Sequence, residues 1–391
     1  MKKIYLSLLI VFLILWGFLF FLNTKQTIGK ITTTYNQIEN KENQTQEEFI
    51  KDEKKPLKTP EKVKGIYMTG YVFSNQILRE KLIKLIKETE LNSVVIDIKD
   101  AQGRIMFEPK SNELKDWPQS PALINYDEYQ KKLTELQSEN IYTIARITTF
   151  QDPEPAKKFN QLTLKTKTGG VWYDYRGLNW FDMTNQVVWD LIIKQTEEAY
   201  LIGFDEVQFD YIRFPSDGNL KTIQYKNFKT GQKKYELMND FYKYLSSGLS
   251  DIKIPLSIDL FGLTYWQRDD ENYDLGIGQK LTDVGKYFNY ISPMLYPSHY
   301  YSGVMGFNNP AQHPYEIINK SLKDGIVILT KSSSTALNRP WIQDFDLGAN
   351  YDASMIKKQI QACDDNNCSG WLLWNASNKY TESALKKELD K

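Results

Sequence analysis

A few short segments of this chain set acidic and basic side chains on apolar runs, and these are the residues able to do chemistry. In GFDEVQFDYIRFP, Asp210 closes an alternating run and Arg213 follows it. An Arg beside a carboxylate favours its ionised form, the form a glycosidase nucleophile or stabilising base must take. In SIDLFG, Asp259 follows an apolar run and precedes Leu260 and Phe261. Apolar surroundings raise a carboxylic acid's pKa, which suits a proton donor. IDIKDAQGRI adds Asp97, Lys99 and Asp100, and ARITT adds Arg146, all suited to binding sugar hydroxyls or holding the carboxylates. Asp182 reads instead as an N-cap-region residue of the next helix. Asp205 and Glu206 open their strand and so belong to the wrong end of it.

These residues need elements to position them. Strand-like runs appear at Gly65–Tyr71, Ser93–Asp100, Ile141–Thr149, Glu206–Arg213, Lys253–Phe261, Tyr290–Tyr296, Gly325–Lys331 and Gly370–Asn375. Helical patterns fall between most of them, at Gln76–Glu90, Asp127–Glu139, Gln186–Gly203, Lys234–Leu249, Pro314–Lys323 and Ala353–Asp364. Strand–helix alternation implies parallel strands with crossover helices, and eight such units imply a closed (β/α)₈ TIM barrel. No Gly-rich phosphate turn follows the first run, which disfavours an open doubly wound sheet. Period-two alternation places Val94, Ile96, Val207, Phe209, Ile254, Leu256 and Ile258 against the helices. Asp97, Lys99, Gln208, Asp210, Ser257 and Asp259 then face the lumen, the charges near the C-terminal strand ends where barrel active sites form. Neighbouring strands lie about 4.8 Å apart, so Asp210 and Asp259 could be a retaining or an inverting pair.

Aromatic residues make up 14% of the chain, and many fall after strand ends. Trp172, Tyr173, Tyr175 and Trp180 crowd one loop. Tyr265 and Trp266 follow Asp259, and Tyr296, His299, Tyr300 and Tyr301 follow the sixth run. Trp371 and Trp374 lie in the last. Trp172, Tyr296, His299 and Trp374, with Arg213, are the candidates for stacking on and holding a sugar. Lys+Arg and Asp+Glu both number 49, which argues against a nucleic-acid partner. With two histidines and two cysteines, no His-rich metal site or zinc finger can be built, and no cofactor is expected.

The apolar run Ile4–Leu22 follows Lys2 and Lys3 and spans about 28 Å as a helix, enough for a ~30 Å bilayer core. It reads as a signal anchor over residues 1–22, with the rest exported and no small-residue cleavage site after it. Residues 23–62 are too polar to form a core and read as a disordered tether, leaving 63–391 as the barrel. Cys363 and Cys368 flank a polar turn, and either a small disulfide loop or two free thiols fits.

The segments GIYMTGY, VVIDIKDAQGRI, ARITTFQDP, GFDEVQFDYIRFP, SIDLFG, ISPMLYPSHY, RPWIQDF and GWLLWNA together resemble a family of bacterial (β/α)₈ barrels. That family is catalogued as a domain of unknown function and inferred to be glycoside hydrolases. The resemblance spans nearly all of Val63–Lys391 and implies a barrel with glycosidase activity. More distantly the chain is similar to α-amylase-like barrels, whose nucleophile is an Asp at the end of the fourth strand. Carried over, that residue is Asp210. The acid after the fifth strand in those barrels is usually Glu, and here the position holds Asp259. The expected function is hydrolysis of an extracellular or cell-wall polysaccharide. The alternatives are a surface-tethered carbohydrate-binding protein without turnover and, less favoured by two histidines, a metal-dependent hydrolase such as a deacetylase.

Overall fold

The computed structural model describes residues 56–266, 270 and 272–388. The apolar run Ile4–Leu22 and residues 23–55 of the expected tether lie outside them. Among the described residues no helix is long and apolar enough to cross a membrane.

Eight parallel strands close into a barrel: β1 Val63–Met68, β2 Ser93–Asp97, β3 Tyr142–Thr148, β4 Glu206–Asp210, β5 Leu256–Phe261, β6 Tyr290–Met294, β7 Trp341–Gln343 and β8 Gly370–Trp374. Each pairs with the next, and the ring closes where Val63 of β1 registers with Gly370 of β8. The β6–β7 link is the thinnest, a single register pair between Met294 and Trp341, with the two-residue strand Leu337–Asn338 adding pairs on β6. The main helices are α1 Gln76–Glu88, α2 Tyr126–Ser138, α3 Gln186–Ile202, α4 Lys234–Gly248, α5 Pro314–Lys331 and α6 Ala353–Asp365. Side-chain caps start several of them: Asn75 on α1, Asn125 on α2, Asn185 on α3 and Asp352 on α6 each accept a backbone N–H. Asn185, not Asp182, is therefore the cap of α3, while Asp182 accepts from Thr184 and Lys226 in the loops beside it.

The expected strand at Gly325–Lys331 is wrong: these residues form the second half of α5. The buried positions Ile317, Ile318, Ser321, Leu322, Gly325 and Leu329 repeat every three or four residues, the helical period, across the whole segment. Gly325 lies directly against the Tyr265 ring, where a Cβ would collide. The seventh strand comes from RPWIQ instead, too short and too proline-marked to read as a strand by itself.

Alternation sorts the side chains as expected. Val94, Ile96, Val207, Phe209 and Ile258 join the core between barrel and helices. Val63, Tyr67, Val95, Tyr142, Ile144, Trp341 and Leu372 fill the lumen. Its N-terminal layer is sealed by an ion pair of Glu206 with Arg339, both fully buried, with Ser257 and Tyr142 donating to the same carboxylate. Residues ahead of β1 cap this end. The Leu57 N–H donates to Asp205 Oδ1 at 2.7 Å, Thr59 Oγ1 lies 3.1 Å from the Tyr142 hydroxyl, and the Leu57 side chain packs on the lumen cluster. Glu206 and Asp205 thus belong to the end away from the long loops. Cys363 on α6 and Cys368 ahead of β8 are buried free thiols.

Candidate active site

The C-terminal layer of the lumen is built around Arg146. Register puts Arg146 of β3 level with Asp97 of β2 and with Gln208 of β4, one inward step below Asp210. Its guanidinium forks between the two acids. Nη1 donates to Asp97 Oδ1 at 2.5 Å, and Nη2 and Nε donate to Asp210 Oδ2 at 2.6 and 3.2 Å. The other Asp97 oxygen accepts from the Tyr67 hydroxyl of β1. The other Asp210 oxygen accepts from the Tyr211 N–H at 2.6 Å. Tyr211 itself takes a left-handed conformation, φ 51°, a strained choice for an aromatic residue.

Asp259 of β5 sits beside this network without a cation of its own. Its Oδ1 accepts from Gln208 Nε2 at 2.7 Å and from Trp341 Nε1 at 2.8 Å. Burial drives its pKa well above the usual carboxylate range, and the nearby Asp210 charge adds to the rise against the opposing Arg146 and Trp341. Asp97 is also raised, burial outweighing Arg146 and the Tyr67 bond, while the two acids hold Arg146 firmly cationic.

Aromatic rings wall the layer. Tyr67 stacks on Trp374 at 4.2 Å and 27°, Trp374 meets Trp341 edge-on at 5.4 Å, and Arg146 lies 5.3 Å from the Trp374 ring. Tyr296 follows β6, with Asp259 and Asp210 both raising its hydroxyl pKa after burial. His299 and Phe345 pack edge-on to Tyr296 at 5.3 and 5.7 Å. His299 also meets Ser298 Oγ at 3.0 Å, and partial burial lowers its pKa. Around this end Tyr71, on the short helix Gly70–Ser74 after β1, and Tyr173, Tyr175 and Tyr301 on loops stand exposed.

Of the sequence candidates, Asp97, Arg146, Asp210, Asp259, Tyr296, His299 and Trp374 come together here. Four others do not. Lys99 lies past the end of β2, where alternation no longer fixes its direction, and its buried ammonium is committed to Asp152 and to the Thr148 carbonyl at 2.5 Å. Asp100 closes its own loop, accepting from the Gln102 and Arg104 N–H groups and from Arg104 Nε. Trp172 is a packing residue, 2% exposed, with its indole N–H on the Asn219 carbonyl and its ring against Gly218. Arg213 is not the partner of Asp210. It donates to the Phe214 carbonyl and Ser216 and lies 4.6 Å over the Phe261 ring and 5.1 Å over Trp180. Trp180, Tyr265 and Trp371 are likewise buried. Tyr67 and Trp341 are the site members that sequence reasoning missed. Each has the inward parity of its strand, a signal that core aromatics share. Among the described residues no group of three or more His, Cys, Asp or Glu is arranged to hold a metal ion.

A family model described as a putative glycosyl hydrolase domain matches residues 65–380, all of the barrel but the first two residues of β1. The chain belongs to this family. No curated protein matches the chain in sequence. A hypothetical protein from Ruminiclostridium thermocellum ATCC 27405 is 31% identical over 50% of this chain and 96% of its own, with a TM-score of 0.45. The endo-1,4-β-D-mannanase of Thermotoga petrophila RKU-1 superposes with a TM-score of 0.52 at 10% identity, over 80% of this chain and 88% of that one. The β-amylase catalytic domain of Paenibacillus polymyxa gives 0.51 at 10% identity, over 85% and 97%. At such identity these last two likenesses speak to the TIM barrel alone.

Proposed function

We propose that this protein hydrolyses glycosidic bonds in an extracellular or cell-wall polysaccharide through Asp210 and Asp259. The observation that carries the reading is the opposed setting of two carboxyls on adjacent strands at the C-terminal barrel end. Asp210 is ion-paired to Arg146, while burial pushes Asp259 toward its protonated form. An Arg-paired carboxylate beside a carboxyl pushed toward its acid form can supply the nucleophile and the acid of glycoside cleavage. Asp259 donates its proton to the leaving glycosidic oxygen as the C–O bond breaks. Asp210 attacks the anomeric carbon or stabilises its developing positive charge. Water then adds, its proton passing to the carboxylate that acts as base. The partly exposed Trp374 offers an apolar face to the sugar ring, and the exposed Tyr71, Tyr173, Tyr175 and Tyr301 offer further ones to a longer chain. The Ile4–Leu22 run supports export and anchoring at the membrane surface.

Screening the full chain on a broad glycan panel tests the reading. Turnover is expected, with Asp259→Asn lowering it by about 10²–10⁴-fold, the usual worth of a general acid. Undiminished hydrolysis by Asp210→Asn would sink the assignment. Asp259 is only 1% exposed, which favours a second reading, carbohydrate binding without cleavage. Glycan-array binding with no turnover on any glycan is its signature.

A further inference from the structure

Both hydrogen bonds on the Asp259 carboxyl fall on one oxygen. Gln208 Nε2 approaches Oδ1 from the neighbouring strand β4, and Trp341 Nε1 approaches it from β7, on the far side of β6. Both donors are buried, at 0% and 1% exposure, so water does not compete for the bonds. No hydrogen bond from a described residue reaches Oδ2. An oxygen whose lone pairs already accept two N–H groups has no place for a proton of its own. The two bonds therefore distinguish the two oxygens of an otherwise symmetric group.

We propose that Gln208 and Trp341 are positioning residues that clamp Oδ1 of Asp259 and so reserve Oδ2 for its proton. The proposal rests on the reading of Asp259 as the general acid. The clamp does two things. It stops the carboxyl from rotating its proton toward the barrel wall. It also supports the carboxylate left after proton transfer, since both N–H groups bind the anion more strongly than the acid. The charged and titratable groups facing Asp259 from the surrounding elements are Asp210 on β4, Arg146 on β3, Tyr296 after β6 and Arg339 ahead of β7. Against this background the clamp tunes acid strength without adding charge.

A rival arrangement exists. Gln208 Oε1 is buried without a partner. Turning the amide over would face that oxygen to Asp259, where it would accept a proton carried on Oδ1. The two arrangements predict opposite shifts when Gln208 is replaced. A lost donor to the anion raises the Asp259 pKa, and a lost acceptor from the neutral acid lowers it.

The experiment follows the Trp341 indole N–H by NMR in the full chain labelled with ¹⁵N at its nine tryptophans, across a pH series. The resonance is assigned by its loss in Trp341→Phe. It should titrate in the native chain and cease to do so in Asp259→Asn. In Gln208→Leu the midpoint should rise by about one to two pH units, the worth of a hydrogen bond to a charged group. If that variant does not fold, Gln208→Met, which keeps the side-chain length without a donor or an acceptor, tests the same point with the same expected rise. The indoles of Trp117 and Trp189, which donate to the Gly103 and Met183 carbonyls, serve as folding controls. A midpoint that falls or stays put in Gln208→Leu, or a Trp341 resonance blind to Asp259, overturns the proposal. Since no substrate is used, full hydrolysis by Asp259→Asn would refute the catalytic reading while leaving the titration result intact.

Discussion

Replacing Arg146 with Met tests the network at its hub. The side chain makes three charge-assisted hydrogen bonds, one to Asp97 and two to Asp210, at 8% side-chain exposure. At the low end of about 1.5 kcal/mol for a bond to a charged group, three amount to about 4.5 kcal/mol. This agrees with the 3–5 kcal/mol typical of stripping one partner from a buried pair, so a loss of about 4 kcal/mol is expected near pH 8. The pH dependence is a sharper test than the size. Asp97 already lies above the usual carboxylate range in the native protein, and losing Arg146 raises it further. The folded variant then holds protons that the unfolded chain has released. Stability therefore falls as pH rises from about 4, the ordinary Asp value, through the raised one. The deficit should be deepest at pH 8 and shallower at pH 5. Urea unfolding followed by tryptophan fluorescence at both pH values measures it, with equal slopes required for the comparison. Arg146→Lys keeps the charge without the fork and should recover part of the loss. A deficit under about 1 kcal/mol at pH 8, or one larger at pH 5, would refute the reasoning.

The packing at Lys99 and at Gly325 carries further outcomes. Lys99→Met leaves Asp152 buried alone and should cost about 3–5 kcal/mol, while Lys99→Met with Asp152→Leu should cost clearly less than the two single changes summed, as a double-mutant cycle reads. Burial raises Asp152 to about 6 even with Lys99 present, so its contribution favours the fold below the unfolded value and is lost as pH rises through about 6; losing Lys99 raises Asp152 further, so the Lys99→Met deficit should deepen above about pH 6 in urea unfolding at stepped pH. Gly325→Ala should destabilise by about 1–3 kcal/mol through the collision with the Tyr265 ring, against a gain of about 1 kcal/mol expected at an open helix site, and its melting temperature decides the sign.

The barrel and much of its site were legible because period-two alternation is a strong signal where one face is apolar. Asp97, Arg146, Asp210 and Asp259 are polar side chains at inward positions of apolar strands, and parity alone aimed them correctly. Parity fails where the strand stops. β2 ends at Asp97, so Lys99, one apparent inward step further on, turned to Asp152. Arg213 fails for another reason: nearness in sequence to Asp210 is not contact with it, because β4 ends at Asp210 and Tyr211 takes a left-handed conformation before Arg213. Aromatic residues gave the weakest signal. Trp172 and Trp341 are equally large and equally buried, yet one packs under a loop and the other donates to Asp259. The GIVILTK run misled because its β-branched residues suit a strand, and only the spacing of its buried positions with those of the preceding turns shows the helix.

The two polar layers of the lumen show why the upper one is not explained by stability. In the lower layer Glu206 meets Arg339 one to one, both fully buried, with Ser257 and Tyr142 completing the carboxylate. Glu206 is charge-matched there, the neighbouring Asp205 is held by hydrogen bonds from Leu57, Gln137 and Thr143 on the outer side of the strand, and the end is capped by Leu57 and Thr59. In the upper layer one guanidinium faces three carboxyls, and the nearest buried ammonium, Lys99, is occupied by Asp152. A barrel core built for stability would match its acids or replace the surplus with apolar side chains, since an uncompensated buried carboxyl is costly. Here the surplus acid, Asp259, is retained and furnished with two N–H donors, which support it as an anion without cancelling its charge. A group held so that it can exist as acid or anion is suited to passing a proton. Its place beside an Arg-paired Asp, at a barrel end with exposed aromatic side chains, is what supports the proposed role in glycoside cleavage.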